Sequence, residues 1–400
     1  MLIEICLALL IGILAGIITG ITPGIHINLV AAITLSLSAA LLLHFQPIVI
    51  VIFLVSMSIS HTFVDYIPSI FLGAPDEDNF LSILPGHEML IQGKAHSALV
   101  YTLYGSLMGL VLILVLSPLF LNYLPKIYLY AQRIMFLILL TTIFSLIYFE
   151  KKNRLLASII FLFSGFLGLS VLNMNLNDSL LPLFTGLFGI SSLITSIKKK
   201  QNIPLQEITK LKEIKMSKKS ILKTIFASLV ASPLCSFLPG LGSGQAAIIG
   251  SEITGELDRK EFLTLIGIVN ILVLGLSFIT LYSIEKYRTG IAATISKITS
   301  LSLPEIYLIL LIMLLAGIIS FFISIFISKF FTKIITKVNY QILSGVVIII
   351  LILMIFLFTE FLGLLVLLVS TSLGLICILL GIRRTHLMGC LLIPALMFYI

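Results

Sequence analysis

Long uncharged apolar windows recur along the chain, among them Leu155 to Leu172 and Val346 to Thr359, and short polar segments separate them. Windows of this length suit helices crossing a hydrocarbon core of ~30 Å with about 20 residues each. Backbone polar groups must be satisfied inside such segments, so helices rather than sheets are expected. Single crossings are predicted at about 48–72, 98–121, 127–149, 155–172 and 178–197, and again at about 262–284, 305–328, 339–358, 362–382 and 386–400. Two further segments, 2–43 and 221–256, each read as a pair of helices or half-helices around a Pro-Gly break. The predicted class is an all-α polytopic membrane protein with about ten transmembrane helices and two Pro-Gly-broken hairpins.

The two breaks match one another. Glycine recurs every fourth residue at Gly12, Gly16, Gly20 and Gly24, leading into Pro23-Gly24. At an offset of 216 residues (240 minus 24), Ser228, Ser232, Ser236 and Gly240 occupy the same four positions, and Pro239-Gly240 falls on Pro23-Gly24. Small residues at this spacing let helices approach closely in lipid without any ligand being involved, and that explains the stripes themselves. A binding site at the end of each stripe is compatible with such packing.

Between the two halves lies a lysine-rich polar stretch, residues 198–220, which divides the chain into membrane repeats 1–197 and 221–400. Placing this linker in the cytoplasm fixes the parity of every other span. Of the 25 Lys and Arg, all but five (Lys126, Arg133, Lys286, Arg288 and Lys297) then fall on the cytoplasmic side, so 20 of 25 obey the positive-inside rule. The first hairpin is entered from outside and the second from inside, which makes the repeats inverted. Inverted repeats with interrupted helices are a common plan of secondary transporters, with binding sites where the breaks approach the midplane.

The chemistry of a break is that of a bare helix start. Thr22 can cap a helix beginning at Pro23, whose missing N–H costs nothing there. The first free N–H groups carry the positive end of the helix dipole, a setting for a carboxylate or phosphate. Unwound carbonyls before each Pro can hold a cation. The candidate substrate-binding residues are Thr22, Pro23, Gly24, His26 and Asn28 at the first break and Pro239, Gly240, Gly242, Ser243, Gly244 and Gln245 at the second.

Ionisable side chains inside spans are costly and point to function by default. His61 and Asp65 share one helix face, for proton coupling or contact with a coupling cation, unless Asp65 is merely wet at the helix end. Asp76, Glu77 and Asp78 can cap the short helix that follows them or face an entry route and bind a cation. Glu252 follows the second break. Asn270 has no polar neighbour within four residues on either side and needs a partner in the bundle. Arg288 and Lys286 stand at the outer side as a landing point for an anion. His61, Asp65, Asp76, Asp78, Glu252, Asn270 and Arg288 are the coupling or gating candidates.

Composition changes the picture only by exclusion. With 59% hydrophobic and 10% charged residues and a mean hydropathy of +1.22, the solvent is lipid. The net charge of +8 reflects membrane orientation rather than nucleic-acid binding. Cys6, Cys235, Cys377 and Cys390 are scattered through apolar sequence, with neither metal spacing nor a paired framework. The first apolar run lacks a basic flank and reads as a retained helix rather than a cleaved signal. No HExxH, paired-aspartate or arginine-rich phosphatase signature is present, so neither enzymatic chemistry nor a metal or cofactor is expected.

The segments GIITGITPGIHINLVAA, GAPDEDNFLSILPGHEMLIQGKAHSAL and FLPGLGSGQAAIIGSEITGELDRKEFL resemble the large permease subunit of the tripartite tricarboxylate transporters, most closely its shorter archaeal relatives. The resemblance implies a multi-pass protein of the cell membrane importing a small anionic substrate, with Na⁺ or H⁺ as the coupling ion. It also implies a small membrane subunit and an extracytoplasmic binding protein as partners, and places Pro23, Gly24, Pro239, Gly240 and Gly242 at the substrate. The first break departs from the family pattern in carrying His26 where a glycine is usual. The stretch after Glu252 also reaches Arg259 and Lys260 without the acidic and asparagine-rich run of larger members. Pro-Gly breaks in inverted repeats are similar, too, to families that return polyprenyl-phosphate carrier lipids across the membrane, and the same helix starts can serve that ligand.

Overall fold

A computed structural model describes the chain apart from residues 1, 23–26, 75–80, 82, 149, 151–152, 177, 199–202, 237–242, 256, 288, 338–339 and 400. Among the described residues every regular element is helical. The first half comprises α1 (Leu2–Ile21), α2 (Ile27–Ser36), α3 (Ser38–Leu41), α4 (Pro47–Val64), α5 (Ile83–Ile91), α6 (Ala95–Tyr148), α7 (Arg154–Leu172), α8 (Leu180–Phe184) and α9 (Ser191–Lys198). The second comprises α10 (Lys218–Ser236), α11 (Ser243–Thr254), α12 (Arg259–Ile284), α13 (Gly290–Ile298), α14 (Leu303–Ile335), α15 (Tyr340–Leu379) and α16 (Gly389–Phe398). Among the described residues eight helical stretches are long and apolar enough to cross a membrane, and Arg133–Tyr148 and Arg384–Phe398 are shorter apolar helices. The chain is an all-α multi-pass membrane protein.

Local chemistry sets the helix starts. Pro47 opens α4 after an extended Gln46. At α12, Asp258 accepts from the Glu261 amide at 2.7 Å while Glu261 accepts from the Asp258 amide at 3.1 Å, a reciprocal capping box. Thr289 caps α13, its hydroxyl accepting from the Ala292 amide at 3.3 Å. The Ser302 amide donates to Glu305 at 2.7 Å at the start of α14.

Two helices are longer than one crossing needs. At ~1.5 Å per residue the 54 residues of α6 would reach ~80 Å if straight. Yet Gly105 packs directly against Thr264, while the Ser145 hydroxyl bonds Glu252 at 3.3 Å. A straight helix would hold positions 105 and 145 ~60 Å apart, whereas the chain from Glu252 to Thr264 spans at most ~40 Å even fully extended. So α6 folds back on itself, and Pro118 and Pro125 mark the stretch where the sequence predicted a turn between two crossings. In α15 the break is local: Glu360 takes φ 55° and ψ −155°, dividing the helix between the predicted spans 339–358 and 362–382.

The packing is reciprocal between the halves. Helix α4 lies on α14, and α12 lies on α6; α13 touches α4, and α5 touches α12. A second group of helices, α7 to α9 with α15 and α16, packs beside this core, with α16 against α7 and α15 against α8 and α9. The polar linker is less free than its composition suggests. The Glu207 amide donates to the Gly93 carbonyl at 2.8 Å, Gln206 donates to the Leu90 carbonyl at 2.8 Å, and the Tyr104 hydroxyl donates to the Leu211 carbonyl at 3.1 Å. These bonds strap residues 206–211 across the α5–α6 turn.

Candidate functional site

The glycine stripe of α1 exists to bring two backbones together. A β-carbon at Gly12 would overlap Ser56 and the Phe53 carbonyl, one at Gly16 would overlap the Met57 carbonyl, and one at Gly20 would stand 3.0 Å from the His61 carbonyl. Because the partners advance in step, α1 and α4 run parallel, and the last turn of α1 meets residues 61–65 of α4. There the Thr19 hydroxyl lies 3.0 Å from Nδ1 of His61, and Nε2 of His61 lies 3.7 Å from Oδ2 of Asp65. All three are buried, so Asp65 is not the wet helix-end acid its sequence position allowed. The Thr22 hydroxyl donates to the Ile18 carbonyl at 2.8 Å and so closes α1; the start of a helix at Pro23, which it was expected to cap, lies outside the described residues.

Asn270 has found the partner it needed. Its side-chain amide donates to the Tyr66 hydroxyl at 2.9 Å, with both residues buried. Asn270 stands eleven residues from Arg259 and fourteen from Ile284, ~16 Å and ~21 Å from the ends of α12, hence near the middle of that helix. Tyr66 adjoins Asp65, so the polar chain Thr19–His61–Asp65 ends beside the Tyr66–Asn270 bond. Just beyond, the helix widens to a π turn over Pro68–Leu72 before the left-handed Gly73 (φ 68°), and such turns are frequent at functional positions.

The helix that leads to the second break, α10, runs beside α12. Lys223 of α10 pairs with Glu261 of α12 at 3.8 Å, and both helices start from the linker side, which places Ser236 at the level of Leu274, about one turn from Asn270. Ser228, Ser232 and Ser236 are fully buried, Gly250 of α11 lies against Ala227 of α10, and α11 begins with a buried Ser243 followed by a buried Gly244. Thus the last described turns before both breaks sit close to the level of the Tyr66–Asn270 pair.

Pro23, Gly24, His26, Asp76, Glu77, Asp78, Pro239, Gly240, Gly242 and Arg288 lie outside the described residues, as do the side chains of Asn28 and Gln245. Glu252 is not gathered into this centre; it bonds Ser145 on the returning limb of α6.

Sequence reasoning missed three groups. Tyr66 carries no signal beyond following Asp65. Glu150 accepts from Arg383 Nε at 3.1 Å, with Nε2 of His386 2.8 Å away, joining the end of α6 to the turn before α16. Arg384, read only as a loop charge, is buried: it donates to the Leu187 and Phe188 carbonyls at 2.6 and 2.7 Å and to Ser191 and Ser192 at 3.0 and 2.5 Å. A Glu and an Arg flanking apolar spans give no hint in sequence that they meet. Among the described residues no three His, Cys, Asp or Glu side chains converge as a metal site.

Residues 6–389 match the family described as "Tripartite tricarboxylate transporter TctA family". A protein of Methanocaldococcus jannaschii, described as uncharacterized, is 30% identical over 257 residues, and the match covers 62% of this chain and 62% of that relative. No solved structure is similar to the chain. With nearly its whole length matched, the chain belongs to the tripartite tricarboxylate transporter TctA family.

Proposed function

We propose that this protein is the permease of a secondary transporter for a small organic anion of the di- or tricarboxylate kind, working by alternating access between two inverted repeats. The observation that carries the reading is the convergence of the last turn of α1, the His61–Asp65 pair and the Tyr66–Asn270 bond inside the membrane-spanning helices. Buried polar groups at that depth are costly unless they serve substrate or ions. The reciprocal packing of α4 on α14 and α12 on α6 supports a twofold repeat, and parallel pairing of the break helices with α4 and α12 supports hairpins that enter and leave on one side.

In this reading the helix starts after the two Pro-Gly breaks grip the anion through free N–H groups, and Asn270 orients it. His61 and Asp65 take up the coupling ion, Na⁺ or H⁺, so that the empty and loaded carrier differ in charge at the centre. Family membership supports a small membrane subunit and an extracytoplasmic binding protein as partners of the whole assembly. Uptake of labelled citrate, succinate and malate into proteoliposomes, driven by a Na⁺ or a pH gradient, tests the proposal. It expects gradient-dependent accumulation of at least one carboxylate, abolished in Asn270→Leu. Absence of carboxylate uptake under either gradient, with transfer of a polyprenyl phosphate between leaflets instead, would overturn it.

A further inference from the structure

A groove of ≈ 630 Å³ opens on the membrane side of the molecule where the fold-back of α6 meets α10. Leu116, Leu119 and Phe120 of α6 and Leu229 of α10 make its walls. Tyr123, Tyr130 and Lys126 belong to the same surface, and Lys126 reaches over the Tyr123 ring with its ammonium 5.9 Å from the ring centre. The arrangement has one apolar slot and one cation, framed by tyrosines of the kind enriched at the edge of a bilayer. Helices α6 and α10 contain no Asp or Glu, and among the described residues Lys126 has no acidic partner. Its counter-ion therefore comes from outside these walls.

We propose that this groove binds an anionic phospholipid, with one acyl chain lying along Leu119 and Leu229 and the phosphate on Lys126. Nothing but lipid, or another apolar body, can fill a slot on membrane-spanning helices, because water does not enter the hydrocarbon region. A transmembrane helix from a partner or a second copy, ~10 Å wide and ~30 Å long, occupies ~2,400 Å³, several times the groove. A single lipid tail is thin enough to enter, and the lone cation at the slot selects a negative headgroup. Leu229 stands two turns before Ser236 at the second break, so a bound lipid braces the helix that carries it.

Native mass spectrometry of the full chain in detergent, titrated with phosphatidylglycerol or with phosphatidylcholine of the same tails, tests this. The wild type should hold more phosphatidylglycerol, and Lys126→Gln should reduce that preference about fivefold, the worth of one interfacial lysine. Leu229→Trp, which fills the slot, should lower binding of both lipids. Melting temperatures of the lipid-free variants within a degree or two of wild type show that the fold is kept. Equal binding of the two lipids, or unchanged binding in both variants, overturns the proposal. So does displacement of phosphatidylglycerol by a polyprenyl phosphate at equal concentration, or a dimer cross-linked through Leu119→Cys, since each assigns the groove to a different occupant.

Discussion

Asn270 donates its side-chain amide to the Tyr66 hydroxyl across 2.9 Å, although the two residues stand 204 positions apart. The bond ties α12 to the end of α4 one residue after Asp65, and so joins the two halves of the chain. Interhelical bonds of this kind are worth ~0.6 kcal/mol on average and up to about 1.7. Tyr66→Phe and Asn270→Leu should therefore each lower thermal stability, with a coupling energy in that range in a double-mutant cycle. Strictly additive losses would show that the contact contributes nothing.

Glycines facing a backbone and glycines facing open space should respond in opposite ways. A β-carbon at Gly16 would collide with the Met57 carbonyl and the His61 amide, whereas one at Gly345 meets nothing within 4 Å. Gly16→Ala should cost about 2 kcal/mol or more by forcing α1 from α4. Gly345→Ala should be neutral or stabilising by about 0.5–1 kcal/mol, since alanine is the better helix former. Melting curves of the two variants in one detergent check the contrast.

Glu150 should matter for folding and not for ligand choice. With Glu150 and His386 both buried and Arg383 on the same oxygen, Glu150→Ala takes from His386 and Arg383 the carboxylate they share and should cost about 1–3 kcal/mol. Limited proteolysis should release the segment after Leu379 earlier than in wild type. Carboxylate selectivity should be unchanged, and a shift in selectivity would move this cluster into the transport site.

Substitution at the His61–Asp65 pair should separate binding from coupling. Asp65→Asn and His61→Gln keep the size of each side chain, so carboxylate binding should fall less than tenfold while the dependence of uptake on the Na⁺ or pH gradient disappears. Uptake that remains gradient-driven in both variants would remove these residues from the coupling step.

The crossings were legible because apolar windows of fixed length have one meaning in lipid, and the kinks at Glu360 and near Pro118 fall where the sequence is interrupted. The need of Asn270 for a partner was legible from its apolar surroundings, but the partner was not, because a tyrosine in a span carries no address. The linker was read from its lysines, and its strap onto Gly93 and Leu90 was hidden because backbone carbonyls have no sequence signature. Arg384 shows the converse failure: a loop position by charge, it is folded inward onto the Leu187 and Phe188 carbonyls of a second π turn, Thr185–Ile190. The glycine stripe at Gly12, Gly16 and Gly20 proved to be packing, as its spacing implied.

The most direct test of the central claim is thermal stability of the purified chain against di- and tricarboxylates, with and without Na⁺, beside Gly24→Leu and Gly240→Leu. A ligand at about ten times its Kd adds ~1.4 kcal/mol to the folded state. The account predicts that a carboxylate raises the melting temperature of the wild type and of neither variant, while the ligand-free variants melt close to wild type. Equal stabilisation of wild type and variants would place the carboxylate away from the two breaks and contradict the account.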